Sequence, residues 1–335
     1  MKQNQRPSGT IPIFFAADDN YAPCLAVAIR SLIAHASPDR SYGIFVLIDR
    51  MSPENMTLLC SLGTENVTIR FVHVGDRLDK LGSMMHLRDY YTKATYYRFF
   101  IPELFPQFDK GLYLDCDVIM LDDAAGLYDT ALGTDLLAAA PEEIMSMVDV
   151  FGRYAEVCLG VPRADYFSAG VLLMNLVEMR RVRIERQFSE LLGRVRYRVT
   201  QDQDYLNVLC RGRVRLIDTT WNRTACPSAG YGPVPKLVHF KINWKPWHYE
   251  HVAFGDAFWT YAAETPYRDV LRGMLDAYTD AERARDAAQY EALCALAASE
   301  IRAQQNIHGT SPDCFPAPDM TVPPYCTRRA AGANL

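Results

Sequence analysis

A chain of 335 residues with 49% hydrophobic content is long enough to bury one large α/β core or two smaller ones. Thirty-five Lys and Arg against forty Asp and Glu leave a net charge of −5 with no dense basic block, which argues against a protein that coats nucleic acid. The nine cysteines, at 24, 60, 116, 158, 210, 226, 294, 314 and 326, never fall in C-x-x-C spacing, so neither a disulfide framework nor a zinc ribbon is expected.

The polar start MKQNQRPSGT and the short apolar IPIFFAA, stopped by Asp18 and Asp19, do not make a secretory segment. No stretch approaches the roughly 18 to 20 apolar residues that span a bilayer. The expected location is the cytoplasm, reaching at most the inner face of the membrane. Ile11 to Ala17 instead reads as a buried strand that ends in DDNY, and Pro23 opens a helix over CLAVAIRSLIAHA. The order repeats: SYGIFVLID is strand-like, Ser52-Pro53 is an N-cap with Pro in the first turn, and VTIRFVHV is a further strand. Such alternation predicts a largely parallel sheet flanked by helices.

TKATYYRFFIPELF then reads as helical, GLYLDCDVIM as a strand, DLLAAAPE and YFSAGVLLMNL as two more, and QDQDYLNVLC as a helix opened by polar residues. VRLIDTTWN and KLVHFK complete the sheet. From about Thr265 the pattern is helical only, with a stripe of Tyr290, Leu293, Cys294, Ala297 and Ile301. Packing of this stripe on the rest of the chain is expected, with peripheral membrane contact as the alternative. The divisions expected are 1–262 for a catalytic unit, 263–307 for a helical extension and 308–335 for a loose, Pro-rich tail.

Asp115 and Asp117 interrupt the apolar run YLDCDVIM. On a continuous strand they would share a face, with Cys116 turned to the core. Two carboxylates at a sheet's ligand edge repel unless a cation or basic group lies between them, and oxygen ligands suit Mg²⁺ or Mn²⁺. D-x-D alone also arises by chance on surface turns, and the flanking hydrophobicity counts against that origin.

With DDNY, ATYYR, YLDCDV, YFSAGVLLMN, DQDYLN and HF…KPW in this order from Phe15 to Trp247, the chain resembles the family 8 glycosyltransferases of the GT-A fold. Bacterial members that build lipopolysaccharide outer cores are nearest in character. The resemblance implies an α/β, Rossmann-like, mostly parallel mixed sheet, followed here by a helical C-terminal extension. It also implies a UDP-hexose donor, a saccharide or glycolipid acceptor, and retention of anomeric configuration.

Site residues follow position by position. Ala16, Asp18, Asn20 and Tyr21 would surround uracil and ribose, the bland alternative for Asp18 and Asp19 being helix capping. Arg98 would lie between the aspartates and the donor sugar. Asp115 and Asp117, with Cys116 between them, would hold the metal and diphosphate together with His239. The imidazole favours Mn²⁺, with Mg²⁺ as the alternative. Asp202 would bind donor hydroxyls, Gln203 would sit by the anomeric carbon, and Lys245 would reach the diphosphate. Gln203 is a poor nucleophile, so front-face departure of UDP is favoured over a double displacement. Trp247 reads as a packing anchor and His248 and His251 as surface residues, while Glu142 or Glu143 fits a loosely placed family acid.

Two positions depart from the family: Ser168 replaces an Asn, and Ile242 replaces a Gly whose backbone conformation decides the cost. These departures motivate an alternative, a UDP-sugar-binding protein without transferase activity. A nucleotidyltransferase is disfavoured because FAADDNYAP lacks the Gly-rich phosphate loop of that class.

Overall fold

The computed structural model describes residues 9–75, 93–226 and 232–308. β1 (Thr10–Ala16), helix Ala22–His35, β2 (Ser41–Ile48), helix Pro53–Cys60 and β3 (Val67–His73) follow in the predicted order. The Ser52 hydroxyl accepts from Asn55 N at 3.2 Å with Pro53 opening the helix, so the predicted cap forms.

Next along the chain come β4 (Lys110–Leu114), β5 (Val118–Met120), β6 (Leu137–Ala139), β7 (Val171–Asn175), β8 (Val214–Leu216), β9 (Arg223–Thr224) and β10 (Leu237–His239). Among the described residues one sheet runs β3-β2-β1-β4-β7-β6-β8, and a smaller one runs β5-β10-β9. Pairing is parallel from β3 to β4, and β7 enters antiparallel between β4 and β6. Both faces of the large sheet are covered. Ile13, Ile44 and Leu112 face one core, while Phe14, Phe45 and Tyr113 face the other. Burial on both faces is why these strands read as unbroken apolar runs.

GLYLDCDVIM is not one strand. β4 stops at Leu114, and the chain bends through Asp115–Asp117 into β5 of the other sheet. Backbone pairing explains the break: Asp115 N donates to Gly170 O beside β7 (2.8 Å), whereas Asp117 O accepts from Phe240 N beside β10 (2.9 Å). A bend, not strand alternation, therefore directs the two carboxylates.

Other stretches also differ from their sequence pattern. Lys93–Phe100 is a 3-10 helix, followed by a single α turn at Ile101–Leu104. YFSAGVLLMNL is strand only from Val171, and VRLIDTTWN divides into β8 and a 3-10 turn at Thr219–Asn222 that leads into β9.

Helices Gly255–Ala262, Arg268–Ala277 and Asp280–His308 end the described chain. In the last of these Ala297 and Ile301 are buried, and with Tyr290, Leu293 and Cys294 they pack against Phe151, Tyr154 and Ala155. Among the described residues no helix is long and apolar enough to cross a membrane. The seven described cysteines carry no disulfide. The tail expected to be loose falls, from residue 309 on, outside the described residues.

Candidate active site

Leu114 at the end of β4 lies beside Val171 at the start of β7, and Val118 of β5 lies beside His239 at the end of β10. The bend after β4 thus meets the end of β10 at one edge of the fold. There Asp115, Asp117 and His239 each present a ligand atom, all within 4.8 Å of one another. Gly170 permits the approach, since a Cβ there would strike the His239 ring and lie 2.6 Å from Asp115 Oδ2.

Each carboxylate has one oxygen held by the protein and one turned to His239. Asp115 Oδ1 accepts from Arg98 at 3.0 Å and from the Tyr113 hydroxyl at 2.9 Å, while its Oδ2 lies 3.8 Å from His239 Nε2. Asp117 Oδ2 pairs with the Lys245 ammonium, and its Oδ1 lies 3.0 Å from His239 Nε2. Burial acts to raise the Asp117 pKa, but Lys245 and His239 outweigh it and hold the carboxyl well below the usual carboxylate range. Asn222 Oδ1 lies 3.0 Å from His239 Nδ1. With Nδ1–H donating to that oxygen, the Nε2 lone pair is available to a cation. Two carboxylate oxygens and one imidazole nitrogen fit a divalent ion that keeps further positions open for substrate oxygens.

Arg98 is the hub of the next layer. It is buried, reaches Asp202 Oδ2 through Nε at 3.3 Å as well as Asp115, donates to the carbonyls of Thr95 and Ala169, and lies 4.3 Å from the Tyr113 ring centroid. Burial pushes the Asp202 carboxyl up to about 6, with Arg98 and the Thr95 hydroxyl (2.7 Å) offsetting part of that. Gln203 Oε1 accepts from Ala169 N at 2.9 Å. Asp204, by contrast, is structural: its buried carboxylate takes hydroxyls from Tyr154, Tyr166 and Thr200.

Of the predicted residues, Arg98, Asp115, Asp117, Ser168, Asp202, Gln203, His239, Ile242 and Lys245 line one cavity. Ala16, Asp18, Asn20, Tyr21 and Cys116 do not line it. Asp18 Oδ1 accepts from Tyr21 N at 3.1 Å at the start of helix Ala22–His35, and Asp19 is tied to Ser52 N and the Asn55 amide. The buried Cys116 thiol donates to Ala16 O at 3.2 Å. Glu142 lines the cavity, and its carboxylate accepts from Lys241 Nζ at 3.0 Å on both oxygens. Burial opposes this charge, but Lys241 dominates, helped by the Ser168 hydroxyl, and the Glu142 pKa is lowered. Glu143 accepts from Thr224 N.

Ile242 adopts φ of 53°, the left-handed region that a glycine occupies without penalty. Gln201, just before the DQD segment, has φ of 51° and a buried Oε1 without a hydrogen-bond partner among the described residues. Trp247 is buried against Phe240 and Phe258, as a packing anchor should be. His248 corrects the surface expectation: it is half-buried and stacks on Tyr278 at 3.9 Å between centroids, because the last helices cover it. His251 is exposed.

Asn222, Gly170, Tyr113 and Lys241 were not singled out by the sequence. Gly170 and Lys241 stand inside quoted motifs and Tyr113 adjoins the D-x-D, but Asn222 lies in an aperiodic turn that carries no signal.

A family model described as glycosyl transferase family 8 matches residues 12–251. A putative glycosyltransferase of Haemophilus influenzae is 27% identical over 222 residues, which are 65% of this chain and 64% of that one. General stress protein A of Bacillus subtilis is 25% identical over 260 residues, 70% of this chain and 87% of that one. Among solved structures, the apo bifunctional glycosyltransferase WbbM aligns with a TM-score of 0.71 and 27% identity, covering 82% of this chain and only 53% of that one. The galactosyltransferase LgtC, solved with donor and acceptor sugar analogs, aligns with a TM-score of 0.66 and 30% identity over 79% of this chain and 100% of that one. The sheet and its flanking helices match the GT-A architecture of these two structures.

Proposed function

The chain belongs to glycosyl transferase family 8, and from that premise we propose that it moves a hexose, galactose or glucose, from a UDP-sugar to a saccharide acceptor of a lipopolysaccharide or other cell-surface glycan, with retention at the anomeric carbon. The observation that carries this reading is the meeting of Asp115, Asp117 and His239 in a cavity also lined by Arg98, Gln203 and Lys245. The likeness to LgtC supports a sugar donor and a sugar acceptor.

In this reading Asp115, Asp117 and His239 would hold a divalent cation, Mn²⁺ in preference to Mg²⁺ because one of the three is an imidazole. That cation supplies neutralisation of the charge that develops on a departing diphosphate. Lys245, now paired with Asp117, turns its ammonium to the same phosphates. Arg98 fixes Asp115 and Asp202 in one arrangement, so that Asp202 meets donor hydroxyls at a constant distance. Gln203, held by Ala169 N, places a neutral amide beside the anomeric carbon and offers no carboxylate nucleophile. UDP then leaves from the face at which the acceptor arrives, its phosphate oxygen taking the acceptor proton, and the configuration is retained.

The test is UDP release from a panel of UDP-sugars with Mn²⁺, with and without a chelator, for the parent chain and Asp117→Ala. The parent should release UDP from one or two hexose donors only, the chelator should stop it, and the variant should be inactive. Normal turnover by Asp117→Ala sinks the metal assignment.

A further inference from the structure

The cavity has a second wall that the donor chemistry does not use. Ile144, Met145, Phe151, Val199, Tyr290 and Leu293 line it alongside the polar groups. All six belong to one apolar cluster, separate from the two cores that flank the large sheet. Two of them, with Gln289, come from helix Asp280–His308. The family match ends at residue 251, so this part of the wall lies outside the matched segment.

The helix is fastened where it meets the site. Ala297 and Ile301 bury its apolar stripe, and the Phe151 and Tyr290 rings meet edge to face at 6.3 Å. Asp286 Oδ2 accepts from the Tyr249 and Tyr278 hydroxyls, each at 2.8 Å, and Glu300 pairs with Arg198 at 3.2 Å. Tyr290 and Leu293 are only partly buried, so the fold leaves apolar surface facing the cavity on a helix held at several points.

We infer that helix Asp280–His308 is the acceptor-selecting element of this enzyme, and that its Tyr290 and Leu293 receive an apolar group attached to the acceptor sugar. The inference rests on the glycosyl-transfer reading above. The donor takes the polar groups around Asp115, Asp117 and His239, which leaves the apolar wall to the second substrate in the same cavity. A hexose offers one C–H face, which a single tyrosine ring can cover. Ile144, Tyr290 and Leu293, partly exposed above the buried Met145, Phe151 and Val199, exceed that need and suit a glycoside whose aglycone is an alkyl chain or an aromatic ring. Gln289 supplies a carboxamide that can bond a hydroxyl of the acceptor sugar.

The experiment uses the full chain with Mn²⁺ and its best UDP-sugar, and reads UDP release without acceptor and with one sugar in three forms: free, as an octyl glycoside and as a nitrophenyl glycoside. The octyl and nitrophenyl arms separate lipid-like from aromatic aglycones. The parent should show an acceptor KM about tenfold or more lower for at least one glycoside than for the free sugar, the scale that apolar contacts of this size give. Leu293→Ser should remove that advantage in acceptor KM without a matching change in donor KM, and Leu293→Met should keep it. Glu291→Gln, on the exposed side of the same helix, is the control and should behave as the parent. Equal KM values for all three acceptor forms, with acceptor-free UDP release intact, overturn this inference alone. So does a Leu293→Ser variant whose donor and acceptor KM values rise together. Absence of UDP release from every donor overturns the glycosyl-transfer reading and this inference with it.

Discussion

His239 is held at Nδ1 by Asn222, while its Nε2 faces the oxygens of both aspartates. Without Asn222 the ring loses the acceptor that holds the proton on Nδ1. Asn222→Ala is therefore expected to weaken Mn²⁺ binding by about 10- to 100-fold, measured by calorimetric titration of the metal alone. Unchanged affinity would show that Asn222 does not set the tautomer. Asp202 gives a second residue-level prediction. Its folded pKa, about 6, lies above the ordinary 3.8, so the native state favours the protonated acid. That contribution to stability is present below about pH 4 and is lost as pH rises through 6, leaving a buried charge at neutral pH. Asp202→Asn should melt at a higher temperature than the parent at about pH 8 in metal-free buffer, and the gap should narrow as pH falls toward 4. Parallel melting curves would contradict it. Ile242 gives a third. A left-handed β-branched residue costs about 1 to 2 kcal/mol, and a glycine's extra unfolded-state freedom costs about 0.5 to 1 kcal/mol. Ile242→Gly should thus change stability by no more than about 1 kcal/mol in denaturant melts. A larger loss would mean that the isoleucine side chain packs more strongly than its place at the cavity lining suggests.

At the level of elements, the turn that carries Lys245 connects the proposed donor site to the C-terminal helices. His248 N and Tyr249 N both donate to Lys245 O at 2.9 Å, and the Tyr249 hydroxyl is held by Asp286 of the last helix. Asp286→Ala removes a charged acceptor shared by two hydroxyls, a loss of about 1 to 3 kcal/mol. Faster amide exchange in the turn and slower UDP release are expected, and Asp286→Asn, whose Oδ1 still accepts, should restore both. Exchange rates unaltered in the alanine variant would break this link. The same turn shows where the sequence was legible. Lys245 and His239 stand in a dense motif that resembles the family's, and both line the one cavity, with Trp247 as the packing anchor between the motif and the core. The D-x-D pair was legible as a pair, but for a different reason: two sheets compete for the backbone on either side of Cys116, and no local periodicity encodes that competition. Asn222 was illegible because its role depends on β9 lying beside β10, a pairing between segments more than ten residues apart. His248 read as a surface residue because the helices that cover it are distant in sequence.

For the whole molecule, the three positions proposed to ligate the metal belong to two sheets. Asp115 follows β4 of the large sheet, while Asp117 precedes β5 and His239 ends β10 of the small one. Alternating βαβ order made the parallel half of the large sheet legible, whereas the small sheet is built from strands of two or three residues, too short for a periodic signal. A cation bound by all three side chains would tie the sheets together, and because the unfolded chain does not hold those ligands near one another, its binding adds to folding stability. At a Mn²⁺ concentration about 100 times the dissociation constant the gain should be about 2.7 kcal/mol. The parent chain should therefore melt at a temperature that climbs with added Mn²⁺ and returns to its starting value with chelator. Asp115→Asn keeps an oxygen for Arg98 and Tyr113 but loses the charge on the oxygen that faces His239, so it should fold yet show little of this climb. If Mn²⁺ raises the melting temperature of Asp115→Asn as much as that of the parent, the cation binds elsewhere, and the two sheets are joined by protein contacts alone.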